Sequence, residues 1–177
     1  VMTGMDCVYN LAKSTDKSWE AALENDVATT ERIGRAALRA GVGRLVHTGT
    51  IASYDMSAAH LTISEATDFG DMEARNIYAR SKAEGERRLI AMTATGLPLV
   101  IARPGIVLGD GGPLQHWGIG RWHGAGAVRL WGSGKNILPF VLADDVSDGL
   151  ILMMTRPEAI GQSFNLIGDA MFSGRDY

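Results

Sequence analysis

"GVGRLVHTG", residues 41–49, is the stretch whose reading decides the fold. Its glycines invite comparison with a phosphate-cradling turn. Such a turn follows a strand and opens a helix. Here the order is reversed. Residues 18–40 are rich in Ala, Glu and Arg, and Leu23, Val27, Ile33, Ala37 and Leu38 fall on one helical stripe. Gly41 therefore reads as a helix stop, and "RLVHT", residues 44–48, as the buried strand that follows it.

Working outward, the same alternation recurs. "DCVYNLA", residues 6–12, is a short apolar run and a candidate buried strand. A polar loop leads from the strand at 44–48 to about Arg75, and a helix is expected over 77–95, ending before "GLP". "LVIA", residues 99–102, is the next strand. Gly- and Trp-rich loops fill 105–134, with a short helix expected near 114–123. "ILPFVL" reads as extended, 144–155 as a helix stopping before Pro157, and "SFNLIG" as a last strand, with Ser173 placed to cap a further helix. Apolar strands alternating with amphipathic helices predict an α/β, Rossmann-like, doubly wound parallel sheet. No repeat or second-domain boundary stands out, so 1–177 is expected to form one domain, with a substrate-pocket segment at about 105–140.

The 177 residues are 46 % hydrophobic and 21 % charged, with net charge −3 and a pI near 5.8. That is the composition of a globular protein with no basic surface for nucleic acid. No apolar run reaches the ~18 residues of a membrane span, and no signal peptide opens the chain, so a cytoplasmic protein is expected. Cys7 lies in an apolar run and reads as a structural thiol. The four histidines show no metal-ligand spacing, and no metal is assigned.

"NIYARSKAEGE", residues 76–86, sets Tyr78 and Lys82 one helical turn apart. A free tyrosine, with a pKa of about 10, is a poor base at neutral pH. A neighbouring ammonium favours the phenolate, so such a pair can exchange a proton with a substrate oxygen while a cofactor handles hydride. Many surface helices carry the same spacing by chance, and the pair alone decides nothing.

The context decides more. "GMDCVYNLA", "ENDVATTERIGRAALRAGVGRLV", "GVGRLVHTGTIASY", "IYARSKAEGE", "VIARPGIVLGDGG" and "FVLADDVSDGL" occur in this order and spacing. Together they resemble the extended short-chain dehydrogenase/reductase family, also called the NAD-dependent epimerase/dehydratase family, across nearly the whole chain. The resemblance implies that Tyr78 is the acid/base tyrosine. It implies that Lys82 tunes the tyrosine and holds the nicotinamide ribose, and that Thr50 binds the reacting oxygen. By the same resemblance Leu11 and Ala12 lie along the adenosine and pyrophosphate, Thr48 is on the cofactor side, and Pro104 and Val107 pack on the nicotinamide. The implied cofactor is NAD or NADP.

The family's Gly-rich fingerprint is not found here and would lie upstream of Val1, so the piece is expected to be a fragment that binds cofactor poorly alone. Nucleotide-sugar members carry an Asn where this sequence has Ile106, and an Arg where it has Leu138. Dehydratases place an Asp-Glu pair where Ile51 and Ala52 follow Thr50. The expected activity is therefore oxidoreduction of a small carbonyl or alcohol. A nucleotide-sugar epimerase with the same triad is the first alternative, and a non-catalytic cofactor-binding scaffold the second. Trp117, Trp122 and Trp131, with His116 and His123, lie where the family builds its substrate pocket, and either stack on substrate or pack a cap. Asp144 and Asp145 read as helix-start residues, and Asp26, where relatives often have Asn, as structural. The helices at 18–40 and 77–95 form a dimer interface in many relatives, which points to a homodimer.

Overall fold

In the computed structural model, which describes residues 2–55, 57 and 62–177, the chain begins with a short strand, β1 (Cys7–Asn10). Ser18 then accepts a hydrogen bond from the Ala21 N–H and opens α1 (Trp19–Ala22). A π-helical stretch, Leu23–Ala28, joins α1 to α2 (Thr29–Ala40). This corrects the stripe expected of an unbroken α-helix. The buried face steps five places, from Ala22 to Val27, and only then resumes helical spacing at Thr30, Gly34 and Ala37. The extra residue of a π turn makes that step possible. Gly41 ends the helix as expected, in the left-handed conformation at φ 64°, with its N–H returned to the Ala37 and Leu38 carbonyls.

Next come β2 (Arg44–Thr48) and a single 3-10 turn, Ile51–Ser53. Asn76 accepts from the Ala79 N–H and starts α3 (Ile77–Thr93). β3 (Leu99–Pro104) is buried at all six positions. Three short strands, β4 (Ile106–Leu108), β5 (Gly120–Trp122) and β6 (Val128–Leu130), precede β7 (Phe140–Leu142), α4 (Ala143–Thr155) and β8 (Ser163–Leu166). The main sheet has the order β1-β2-β3-β8, and β1, β2 and β3 run parallel. Among the described residues, no helix is long and apolar enough to cross a membrane.

The chain forms two compact units. One comprises the chain up to Arg103 together with Leu150–Asn165, and the other Pro104–Gly149 with Leu166–Tyr177. In the first, Leu45, Leu99 and Ile101 of the sheet pack against Ala37 of α2 and Leu89 of α3.

The second unit pairs β4 with β7 in parallel and β5 with β6 in antiparallel fashion, over a core of Ile106, Ile119, Leu138 and Phe140. It corrects the reading of 105–134 as loops with a helix near 114–123. That stretch turns into β5 instead. The Gly118 N–H is tied to the His116 ring 2.9 Å away, and a side chain at Gly120 would meet the Arg129 carbonyl at 2.5 Å. Strand pairing, not helical spacing, selects Gly120. Ser173 caps no helix: its N–H and hydroxyl both donate to the Asp176 carboxylate.

Candidate active site

Parallel strands place their carboxyl ends side by side, and ligands of such sheets gather there. Asn10 and His47 are register partners at the ends of β1 and β2. The Asn10 side-chain oxygen accepts from the Ala12 N–H at 3.3 Å, and its amide nitrogen lies 3.1 Å from His47 Nδ1. His47 is 1 % exposed, and burial, with help from the charges of Lys82 and Arg103, pushes its pKa down to about 3. Beyond this pair, Leu11 and Ala12 are exposed.

α3 supplies the next layer. Positions 78, 82 and 86 share one face. Tyr78 is partly exposed, and its ring faces the Lys13 ammonium at 5.1 Å. Its hydroxyl makes no hydrogen bond among the described residues. Lys82 is nearly buried and donates to the Thr48 carbonyl at 2.9 Å. Burial lowers the Lys82 pKa, and the carboxylates of Asp26 and Glu86 oppose that. Asp26 also accepts from the Ser14 N–H and from the Ser81 hydroxyl, which accords with the structural role expected of it. The Thr48 hydroxyl oxygen is buried without a partner among the described residues.

The third layer is the turn that carries Thr50. The Thr50 hydroxyl accepts from the Ala52 N–H at 3.2 Å, which leaves its own proton to donate elsewhere. The turn is clamped from both sides. Arg75 donates to the carbonyls of Ala52 and Tyr54. Below it lies a buried chain. Ser53 donates to Glu86 at 3.2 Å, Arg103 pairs with Glu86 at 2.8 Å and donates to the Tyr54 hydroxyl at 2.8 Å, and that hydroxyl donates to Asn165 at 2.7 Å. Burial pushes the Glu86 carboxyl up, against the pull of Arg103. Gly49 is required beside this chain, because a β-carbon there would lie 2.1 Å from Glu86 Oε1.

The order and geometry of these elements have a counterpart among known proteins. The profile of the NAD dependent epimerase/dehydratase family matches residues 1–166. This chain belongs to that family. Among solved structures it is similar to a dTDP-glucose 4,6-dehydratase from Streptomyces venezuelae with NAD and TYD bound, at 25 % identity and TM-score 0.71, covering 99 % of this chain and 56 % of that one. Pal from Bacillus thuringiensis has 22 % identity and TM-score 0.73, over 98 % and 58 % of the two chains. An epimerase from Methanothermobacter thermautotrophicus has 20 % identity and TM-score 0.75, over 96 % and 53 %. The chain thus spans just over half the length of each of these proteins. A search of curated proteins returns no match.

The other residues singled out from the sequence belong to the second unit. Pro104 is buried at the end of β3, and Val107 is partly exposed in β4. Ile106 and Leu138 are core residues of this unit. Trp122 packs against that core, and its ring N–H donates to the His116 carbonyl. Trp117 and Trp131 form an exposed edge-to-face pair with centroids 5.1 Å apart.

Sequence reasoning passed over Asn10, His47, Glu86 and Arg103. Three of them left a usable signal: a polar or charged residue inside an otherwise apolar strand run, as in "CVYN", "RLVH" and "LVIAR". Glu86 left another, by extending the Tyr78–Lys82 stripe one further turn.

Proposed function

We propose that the protein catalyses NAD(P)-dependent oxidoreduction of a carbonyl or alcohol, with Tyr78, Lys82 and Thr50 as its working residues. The observation that carries this reading is the Lys82 ammonium docked on the Thr48 carbonyl, two residues before Thr50 and one helical turn from Tyr78. The residues suit a dinucleotide. Among the described residues Lys82 has one protein acceptor and the Thr48 hydroxyl is unpaired, and Leu11 and Ala12 lie open at the end of β1. Leu11 and Ala12 would lie along the dinucleotide, Thr48 would border it, and Lys82 would hold its ribose. When bound, the nicotinamide supplies hydride exchange.

The protein's part is then positioning and proton transfer. Thr50 donates its free hydroxyl proton to the reacting oxygen. Tyr78 exchanges a proton with the same oxygen, and Lys82 places a positive charge one turn away. The Arg75 clamp and the Glu86–Arg103–Tyr54 chain keep the Thr50 turn in shape, so that little reorganisation accompanies the reaction. For Pro104 and Val107 the contact with the nicotinamide is proposed from the resemblance alone.

Tyr78→Phe in the full-length protein is expected to lose turnover by about 10²–10⁴-fold while still binding cofactor. Undiminished turnover would refute the assignment. For the substrate, the core positions of Ile106 and Leu138 favour a small or moderately apolar molecule over a diphosphate, which calls for charged donors. A second reading, a nucleotide-sugar epimerase, is favoured by the likeness to the dTDP-glucose 4,6-dehydratase. A thermal shift with UDP or TDP would select it, and the lack of one would select the first.

A further inference from the structure

A small cavity of about 10 Å³ lies beside β2, lined by Asp26, Thr30, His47, Ser81 and Lys82 among others. This is at the lower edge of the ~10–15 Å³ that one water occupies. The lining is largely polar, and one lining residue, His47, has its Nε2 buried without a partner among the described residues.

Asn10 fixes the polarity of that atom. Its oxygen is engaged by the Ala12 N–H, so its amide nitrogen must be the group facing His47 Nδ1. An amide nitrogen only donates. Nδ1 therefore accepts, and the neutral ring carries its proton on Nε2. A buried N–H with no acceptor is costly, and the lining residues make no hydrogen bond to it.

We propose that this cavity is a site for one ordered water, and that His47 is a positioning residue that holds Lys82 through that water. The donor and acceptor count closes. The water accepts from His47 Nε2–H and from a Lys82 N–H. It donates to the Asp26 carboxylate and to the Thr30 or Ser81 hydroxyl. Lys82 then has two acceptors inside the protein, the water and the Thr48 carbonyl, and its third N–H is left for a ligand. Asn10, through the tautomer it imposes, sets which way the water faces. The role rests on Lys82 being the cation of the proposed site; the water itself requires no turnover.

The test is nuclear magnetic resonance on the ¹⁵N-labelled full-length protein, with a crystal structure to locate the water. The expected His47 ring has a bare Nδ1, a protonated Nε2 and density for a water beside it. Two variants isolate the role. His47→Gln carries its amide nitrogen to the Nε2 position and is expected to keep both the water and the Lys82 ammonium titration. His47→Leu, or His47→Asn where the Leu variant does not fold, offers no donor there. It is expected to lose the water and to move the Lys82 titration to lower pH, because the ammonium has lost an acceptor. A bare Nε2, no water in the wild type, or the same Lys82 titration in the Gln and Asn or Leu variants would overturn the proposal. These signals are independent of catalysis. A Tyr78→Phe variant with full turnover would remove the proposed function and leave them unchanged.

Discussion

Two buried polar regions flank α3, and they are built on opposite principles. Under the Thr50 turn, Ser53, Glu86, Arg103, Tyr54 and Asn165 form a chain of hydrogen bonds of 2.7–3.2 Å, with Arg103 engaged by both Glu86 and Tyr54. At the ends of β1 and β2, Asn10, His47 and Lys82 are also buried, as is the Thr48 hydroxyl oxygen, yet His47 Nε2 and that hydroxyl have no partner among the described residues. The first region is closed and fixes a backbone shape. The second keeps donors and acceptors in reserve. Buried polar groups are ordinarily paired, so the unpaired ones mark where something other than the chain belongs.

The largest effect is expected in the closed region. Arg103→Met strands a fully buried Glu86 carboxylate, and about 3–5 kcal/mol of stability should go with it, read from the urea midpoint. Adding Glu86→Leu removes the stranded charge and is expected to recover most of the loss. If the double variant is as unstable as the single one, the ion pair is not what the closed region depends on.

The reserved region should respond to pH. Unfolded, His47 takes up a proton near its ordinary 6.5; folded, it does so only near 3. Between those values the unfolded chain binds a proton that the folded chain refuses. Stability contributed by the neutral ring is therefore present above about 6.5 and is lost as pH falls, by up to roughly 1.4 kcal/mol per pH unit. Urea unfolding across that window should show a slope that His47→Gln reduces, the remainder coming from carboxylates such as Glu31 whose pKa the fold lowers. An unchanged slope would mean that His47 titrates normally and that its region is wetter than its burial implies.

The same contrast explains what could be read in advance. Element order was legible because it rests on apolar periodicity and on Gly41, both local properties. Tyr78, Lys82 and Thr50 were legible as a pattern, since spacing along one helix and one turn after a strand are also local. The π turn at Leu23–Ala28 was not, because nothing in "LENDVA" announces an extra residue; it is visible only as the five-residue step from Ala22 to Val27. The Glu86–Arg103 and Asn10–His47 pairs were not legible either. Their partners lie 17 and 37 residues apart; the packing of α3 on β3 brings the first pair together, and the register of β1 on β2 the second. In the second unit, the three short strands in 105–134 escaped because each is three residues long, too short for a period to show.

Smaller changes sharpen the comparison by deleting one hydroxyl from each region. Tyr54→Phe takes a donor from Asn165 and an acceptor from Arg103 while keeping the ring, and should cost roughly 1–2 kcal/mol in chemical unfolding. Thr48→Val deletes a hydroxyl that is buried and, among the described residues, unpaired. Valine keeps the β-branched shape that a strand favours, so the change should be neutral or stabilising by up to about 1 kcal/mol. The two variants differ in sign although each removes one oxygen, because only Tyr54 is bonded in the folded chain. A Thr48→Val loss as large as that of Tyr54→Phe would show that the Thr48 hydroxyl is bonded in solution. The second region would then be closed too, and the unpaired atoms would no longer mark a ligand side.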